Sequence, residues 1–154
     1  MHPTHAFLLG AVALMTSVPT LSETVAAPPT AAQAALAGNP LIGAWNTPDG
    51  APPYDRIKPE HYEPAVDEGI REALQQARMI GMQRSMPTFE NTVERLEQSG
   101  ELLSRTLNTF FNLTGSDGTP EIQKAEAAIA PKLARFQSDL YLDKALFTRI
   151  DQIY

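Results

Sequence analysis

The sequence offers three imidazoles, His2, His5 and His61, and no cysteine, so metal or nucleophilic chemistry has few parts to work with. A hydrolytic zinc site on a helix needs two histidines at i and i+4 with a glutamate between them, and a third ligand from elsewhere. His2 and His5 are three apart with no acid beside them. His61 stands alone in Glu60-His61-Tyr62-Glu63, where one imidazole and two carboxylates close along the chain cannot all converge on one ion. It is expected to be a hydrogen-bonded structural residue. Ser85, Ser99 and Ser104 carry hydroxyls, but none lies in the glycine-flanked elbow of a nucleophilic serine. Asp67 with Glu68 and Glu94 with Glu97 are interleaved with Arg71 and Arg95 at helical spacings, a pattern of solvated, ion-paired faces. Asn112-Leu113-Thr114 matches a glycosylation triplet at a helix end, and no glycine-rich phosphate loop occurs. The expectation is that this chain contributes no catalytic, cofactor-binding or metal-binding residue.

The elements that carry these residues read as helices, because no period-two alternation appears anywhere. Pro87 to Leu113 is the longest pattern, with an apolar seam of Phe89, Val93, Leu96, Gly100, Leu103, Leu107 and Phe110 at alternating spacings of four and three. Thr88 is its expected N-cap, Gly115 its exit, and Gly100 the point where a neighbouring helix comes close. Before it, a helix is expected to begin near Pro64, with Val66, Ile70, Leu74, Ala77 and Gly81 on one face and Ile80 beside them. Met79, Met82 and Met86 are expected to fill gaps in the core. After it, Thr119 caps a helix opened by Pro120, with the seam Ile122, Ala125, Ile129, Leu133, Phe136 and Leu140 and an expected kink at Pro131. Asp143 starts a fourth helix with Leu146, Phe147, Ile150 and Ile153 apolar, still in mid-pattern at Tyr154, so the polypeptide is expected to be a piece of a longer one. The class is all-α, with short connections that make successive helices antiparallel.

Ahead of the helices, Asn39 to Pro53 holds four prolines and two glycines and is expected to be an extended arm, with Leu41, Ile42 and Trp45 plugging it onto the core. Residues 23 to 38 read as an Ala/Pro/Thr-rich tether. Ala6 to Met15 is an apolar run too short to span a bilayer and of the length of a signal-peptide core, although MHPTH lacks Lys and Arg. Residues 1 to 22 are therefore expected to be a signal peptide, cut after Ser22 or Ala27, which places the protein in the periplasm or outside the cell; without export it is cytoplasmic. The net charge of −6 argues against nucleic acid as a partner, and no stable membrane insertion is expected.

Three stretches also carry a resemblance. Tyr54-Asp55-Arg56-Ile57-Lys58-Pro59-Glu60-His61-Tyr62-Glu63-Pro64-Ala65, then PTFENT from Pro87, then SGELLSR from Ser99, stand in the order seen in the thimet-oligopeptidase family of zinc metallopeptidases. From residue 39 to 154 the chain resembles the N-terminal segment of that family, nearest to its bacterial peptidyl-dipeptidase branch. The resemblance implies an N-terminal helical lobe over a deep channel, and a zinc held by HExxH with a downstream Glu. A zinc-bound water would then release C-terminal dipeptides from peptide substrates. None of those catalytic positions exists in this sequence. The resemblance thus implies a non-catalytic part of a zinc peptidase, with the family's oligopeptidase branch or a stand-alone helical peptide- or protein-binding module as alternatives.

Overall fold

A computed structural model describes residues 30–116 and 118–154. The expected signal peptide, both cleavage positions, His2, His5 and the tether up to residue 29 lie outside the described residues. Among the described residues there is no strand, and the class is all-α. A short helix, α1 (Ala31–Leu36), is closed by a capping box in which the Thr30 hydroxyl accepts from the Gln33 amide. It falls within the stretch expected as a tether, since four alanines and a capping pair suffice for one and a half turns.

The long α2 (Pro59–Gly81) begins one turn earlier than expected. Pro59, whose missing N–H costs nothing at the start of a helix, takes that place, and Pro64 lies inside the helix, where it gives up one backbone bond. The stretch expected as one helix from Pro87 is broken. Thr88 caps it as foreseen, its hydroxyl accepting from the Asn91 amide at 3.2 Å. A wide π-turn (Phe89–Glu94) and a short α3 (Arg95–Glu97) then precede α4 (Glu101–Ser116). The break is at Gly100, whose φ of 72° only glycine takes readily, and its N–H donates to Gln76 Oε1 at 2.8 Å. The π-turn carries an extra residue and rotates the seam, so Thr92 is buried while Phe89 is 54% exposed. Gly115 does not end the helix; α4 incorporates it. α5 (Pro120–Tyr141) runs on through Pro131, and α6 (Lys144–Asp151) is capped by Asp143, whose Oδ1 accepts from the Leu146 amide at 3.0 Å.

Helix α2 is the axle. Tyr62 meets Phe110 edge to face with ring centroids 4.9 Å apart, and Gly69 lies against Leu103, so α2 and α4 are antiparallel. Lys132 of α5 bonds Glu63 and Asp67 of α2, and Leu140 packs by Ala77 further along, so α5 runs parallel to α2. Successive helices are therefore antiparallel, and the first and third necessarily run the same way. Leu41, Tyr62, Ala65, Val66, Leu103, Phe110, Ile122 and Ile129 form the main core. Removing such side chains from water stabilises the fold by roughly 1.5–3 kcal/mol for each large one. The expected arm lies over this core. The Arg105 Nη2 donates to the carbonyls of Leu41, Ile42 and Gly43 at 2.7 to 3.1 Å, and the guanidinium stands 5.2 Å from the Trp45 ring. The Asn39 amide adds a bond to the His61 carbonyl at 2.8 Å.

Candidate functional site

At the far end of the bundle, the last turn of α2, the segment from residue 82 to 97, the end of α5 and α6 are brought together. Gly81 makes this possible: a Cβ there would lie 2.9 Å from the Leu146 amide nitrogen, so only glycine lets α6 approach so closely. Ala77, Ile80 and Leu146 form a second small core beneath, with Leu96, Leu140 and Ile150 around it. Arg149 of α6 is 5% exposed and bonded throughout. Its Nε donates to Thr92 Oγ1 at 2.9 Å, Nη1 to the carbonyls of Gln83 and Ser85 at 3.1 and 2.9 Å, and Nη2 to Asn91 Oδ1 at 2.7 Å and Gln83 Oε1 at 3.2 Å. A guanidinium has five N–H groups, and these bonds engage all three of its nitrogens. Arg149 is thus a hub that fixes the turn to α6, and not a receptor for a substrate carboxylate.

Among polar neighbours, this end also shows large apolar side chains to water. Among the described residues, eight of the ten large exposed hydrophobic side chains belong to these elements. Met82, Met86, Tyr141 and Leu142 are each more than three quarters exposed, and Met79 and Phe147 are 65% exposed. The three methionines therefore do not fill the core. Met79 is on the outward side of α2 beside buried Ile80, and Met82 and Met86 lie beyond the helix, in the turn. An open groove of about 360 Å³ between α2 and residues 95–99 is lined by Gln76, Met79, Ile80, Gln83, Arg95, Gln98 and Ser99, a set without a carboxylate or imidazole to act as general base.

The residues singled out for chemistry are placed as structural groups. His61 Nδ1 accepts from the Lys58 amide at 3.1 Å and so closes the start of α2. Ser99 Oγ donates to the Leu96 carbonyl at 2.6 Å and Ser85 Oγ joins the Arg149 cluster; no base faces either hydroxyl. Glu68 pairs with Arg71 at 2.6 and 2.8 Å, and the Arg71 hydrogen bond holds its carboxyl below the usual range. Asp67 turns away from Arg71 and, with Glu63, grips Lys132 across the helix interface at 2.7 to 2.8 Å. Burial alone would lower the Lys132 ammonium, but the bonds to Asp67 and Glu63 outweigh it and hold it above the ordinary lysine value. Burial also pushes the Tyr62 phenol up. Glu94 accepts from Gln98 at 3.3 Å, and neither it nor Glu97 forms an ion pair with Arg95. Among the described residues, no three His, Asp or Glu side chains stand where they could hold a metal ion.

Sequence reasoning passed over Arg149 and Arg105. Their signal was available, since Arg149 falls at a seam position between Leu146 and Ile150, where a solvent-facing cation has no place.

No family model matches the chain. Individual proteins do. A dipeptidyl carboxypeptidase of Salmonella typhimurium is 40% identical over 119 residues, which is 77% of this chain and 18% of that protein. A dipeptidyl carboxypeptidase of Escherichia coli is 37% identical over 116 residues, 75% of this chain and 17% of the relative. Oligopeptidase A of Escherichia coli is 27% identical over 100 residues, 65% of this chain and 14% of the relative. The chain spans less than a fifth of these relatives' length.

Proposed function

The chain belongs to the thimet-oligopeptidase family of metallopeptidases, and from this we propose that it is the N-terminal, non-catalytic part of a zinc peptidase that removes C-terminal dipeptides from peptides. The observation that carries the proposal is the 40% identity over 119 residues to a dipeptidyl carboxypeptidase, against 27% to an oligopeptidase A. The substrates are peptides, engaged by a catalytic part outside these residues. Export to the periplasm or the exterior follows if Ala6 to Met15 acts as a signal core.

Zinc does not fit the residues described. The one imidazole among them, His61, spends Nδ1 on the Lys58 amide, and no carboxylates converge beside it. What these residues do is build a rigid helical wall: the Arg105 clamp closes one end, and Lys132 with its two carboxylates fastens α5 to α2. No step of hydrolysis is assigned to them.

Two measurements test the proposal. Equilibrated with zinc and dialysed, the purified chain is expected to retain none stoichiometrically and to release no dipeptide from test peptides. Tight stoichiometric zinc, or dipeptide release, overturns the non-catalytic reading. The coding DNA past Tyr154 is expected to encode an HExxH helix in frame or after a frameshift, and unrelated sequence there removes the peptidase reading.

A further inference from the structure

Resting on that reading, we infer that the apolar end of the bundle, presented by Met79, Met82, Met86, Tyr141, Leu142 and Phe147, is the surface on which the remainder of a dipeptidyl carboxypeptidase docks.

The two ends of the molecule are treated differently. At one, the arm carrying Leu41 and Trp45 is clamped over the main core by Arg105, and only Tyr54 and Phe111 among the large apolar residues stay exposed. Among the described residues, the other has no such cover. Helix α6 keeps Leu146 buried inward and leaves Phe147 exposed on its outer side. Covering a large aromatic side chain such as Tyr141 or Phe147 removes roughly 150–250 Å² from water, and covering the three methionines and Leu142 adds to that.

The patch also stands on a fixed frame. Gly81 seats α6 against α2, and Arg149 ties the turn that carries Met86 to α6, so docking requires little reordering. Methionine adds adaptability, because its unbranched thioether fits irregular counterparts. The occupant follows from length: the aligned segment is 18% of the Salmonella relative, which leaves most of that polypeptide to supply the apolar counterpart.

The chain has no cysteine, so a single introduced thiol reports by itself. Met82→Cys, Leu142→Cys and, as the control at the opposite end, Phe111→Cys are made in the isolated chain. Each is also made in a chimera in which these residues replace the aligned segment of the Salmonella relative. Maleimide labelling of each position is followed by mass spectrometry of its peptide. Labelling at Met82→Cys and Leu142→Cys is expected to be about tenfold or more slower in the chimera, and Phe111→Cys unchanged, since thiol reactivity follows exposure. Equally fast labelling of the first two in a chimera that releases dipeptides overturns the docking surface and leaves the family role intact. A chimera that releases none overturns the family role and the assigned occupant with it. Labelling that is already slow in the isolated chain and quickens on dilution assigns the surface to a second copy of the chain and overturns the inference.

Discussion

Replacing Gly69 by alanine tests the α2–α4 contact on which the architecture rests. A Cβ at this position would lie 2.8 Å from Leu103 Cα, 2.9 Å from its N and 3.0 Å from its Cβ. Ordinary contact starts near 3.4 Å, so the backbone of α4 must recede by about 0.6 Å at its nearest atom. Two of the three atoms are main chain, so no rotamer change relieves the clash, and Leu103→Ala does not rescue it. The same displacement loosens Tyr62 against Phe110, each about two turns away on the same interface. Overpacking of this kind costs roughly 1–3 kcal/mol. Alanine in a helix regains about 1 kcal/mol over glycine, so the net loss is between about 0 and 2 kcal/mol. Gly115 is the counterpart: it is also helical but has no atom within 4 Å of its would-be Cβ, so Gly115→Ala is expected to gain up to about 1 kcal/mol. Urea unfolding followed by circular dichroism at constant m reads both as shifts in midpoint. Gly69→Ala is expected to fall below Gly115→Ala in midpoint, and two variants that shift alike refute the close approach.

Other substitutions probe the remaining fastenings. Arg149→Met leaves the Gln83 and Ser85 carbonyls and the Thr92 hydroxyl without their donor, and a loss of roughly 1.5–3 kcal/mol for bonds to a charged group is expected. Hydrogen exchange then quickens from residue 83 to 92 ahead of α2. Arg105→Met is expected to release the arm, shifting the fluorescence of Trp45, the single tryptophan, to the red while α4 stays helical. Lys132→Met tests a linkage with a defined sign. Because the folded ammonium is held above its ordinary value, the stability it contributes is present below the normal lysine range and is lost as pH rises through its folded value. The difference between parent and variant, less than about 1 kcal/mol for so accessible a group, should vanish at strongly alkaline pH. Glu68→Gln behaves oppositely: its carboxyl is lowered, so the parent's advantage is present above the normal glutamate range and disappears as pH falls through the folded value.

Much of this architecture was legible in the residues, for reasons that also show where legibility stops. The seams of α2 and α5 place Val66, Ala77, Ile122 and Ile129 in the core, because an unbroken period near 3.6 fixes which side faces inward. The stretch from Pro87 was misread at Gly100. A glycine on a seam serves equally as a small packing residue and as a left-handed stop, and here it does both, with Ala73 Cβ 3.3 Å from its would-be Cβ and a φ of 72°. The π-turn before it leaves no compositional trace, and it exchanges Phe89 for Thr92 at the inner face. Methionines at helical spacing look alike whether they fill a core or await a partner. The start of α2 was misplaced because Pro59 and Pro64 both suit a first turn and only the Lys58–His61 cap decides between them.

We propose that these residues serve as the N-terminal part of a dipeptide-releasing peptidase. The most direct measurement is dipeptide release by the chimera that carries them in place of the aligned segment of the Salmonella relative. Release of C-terminal dipeptides at the parent enzyme's order of magnitude is predicted. A soluble, folded chimera that binds zinc but releases no dipeptide contradicts it.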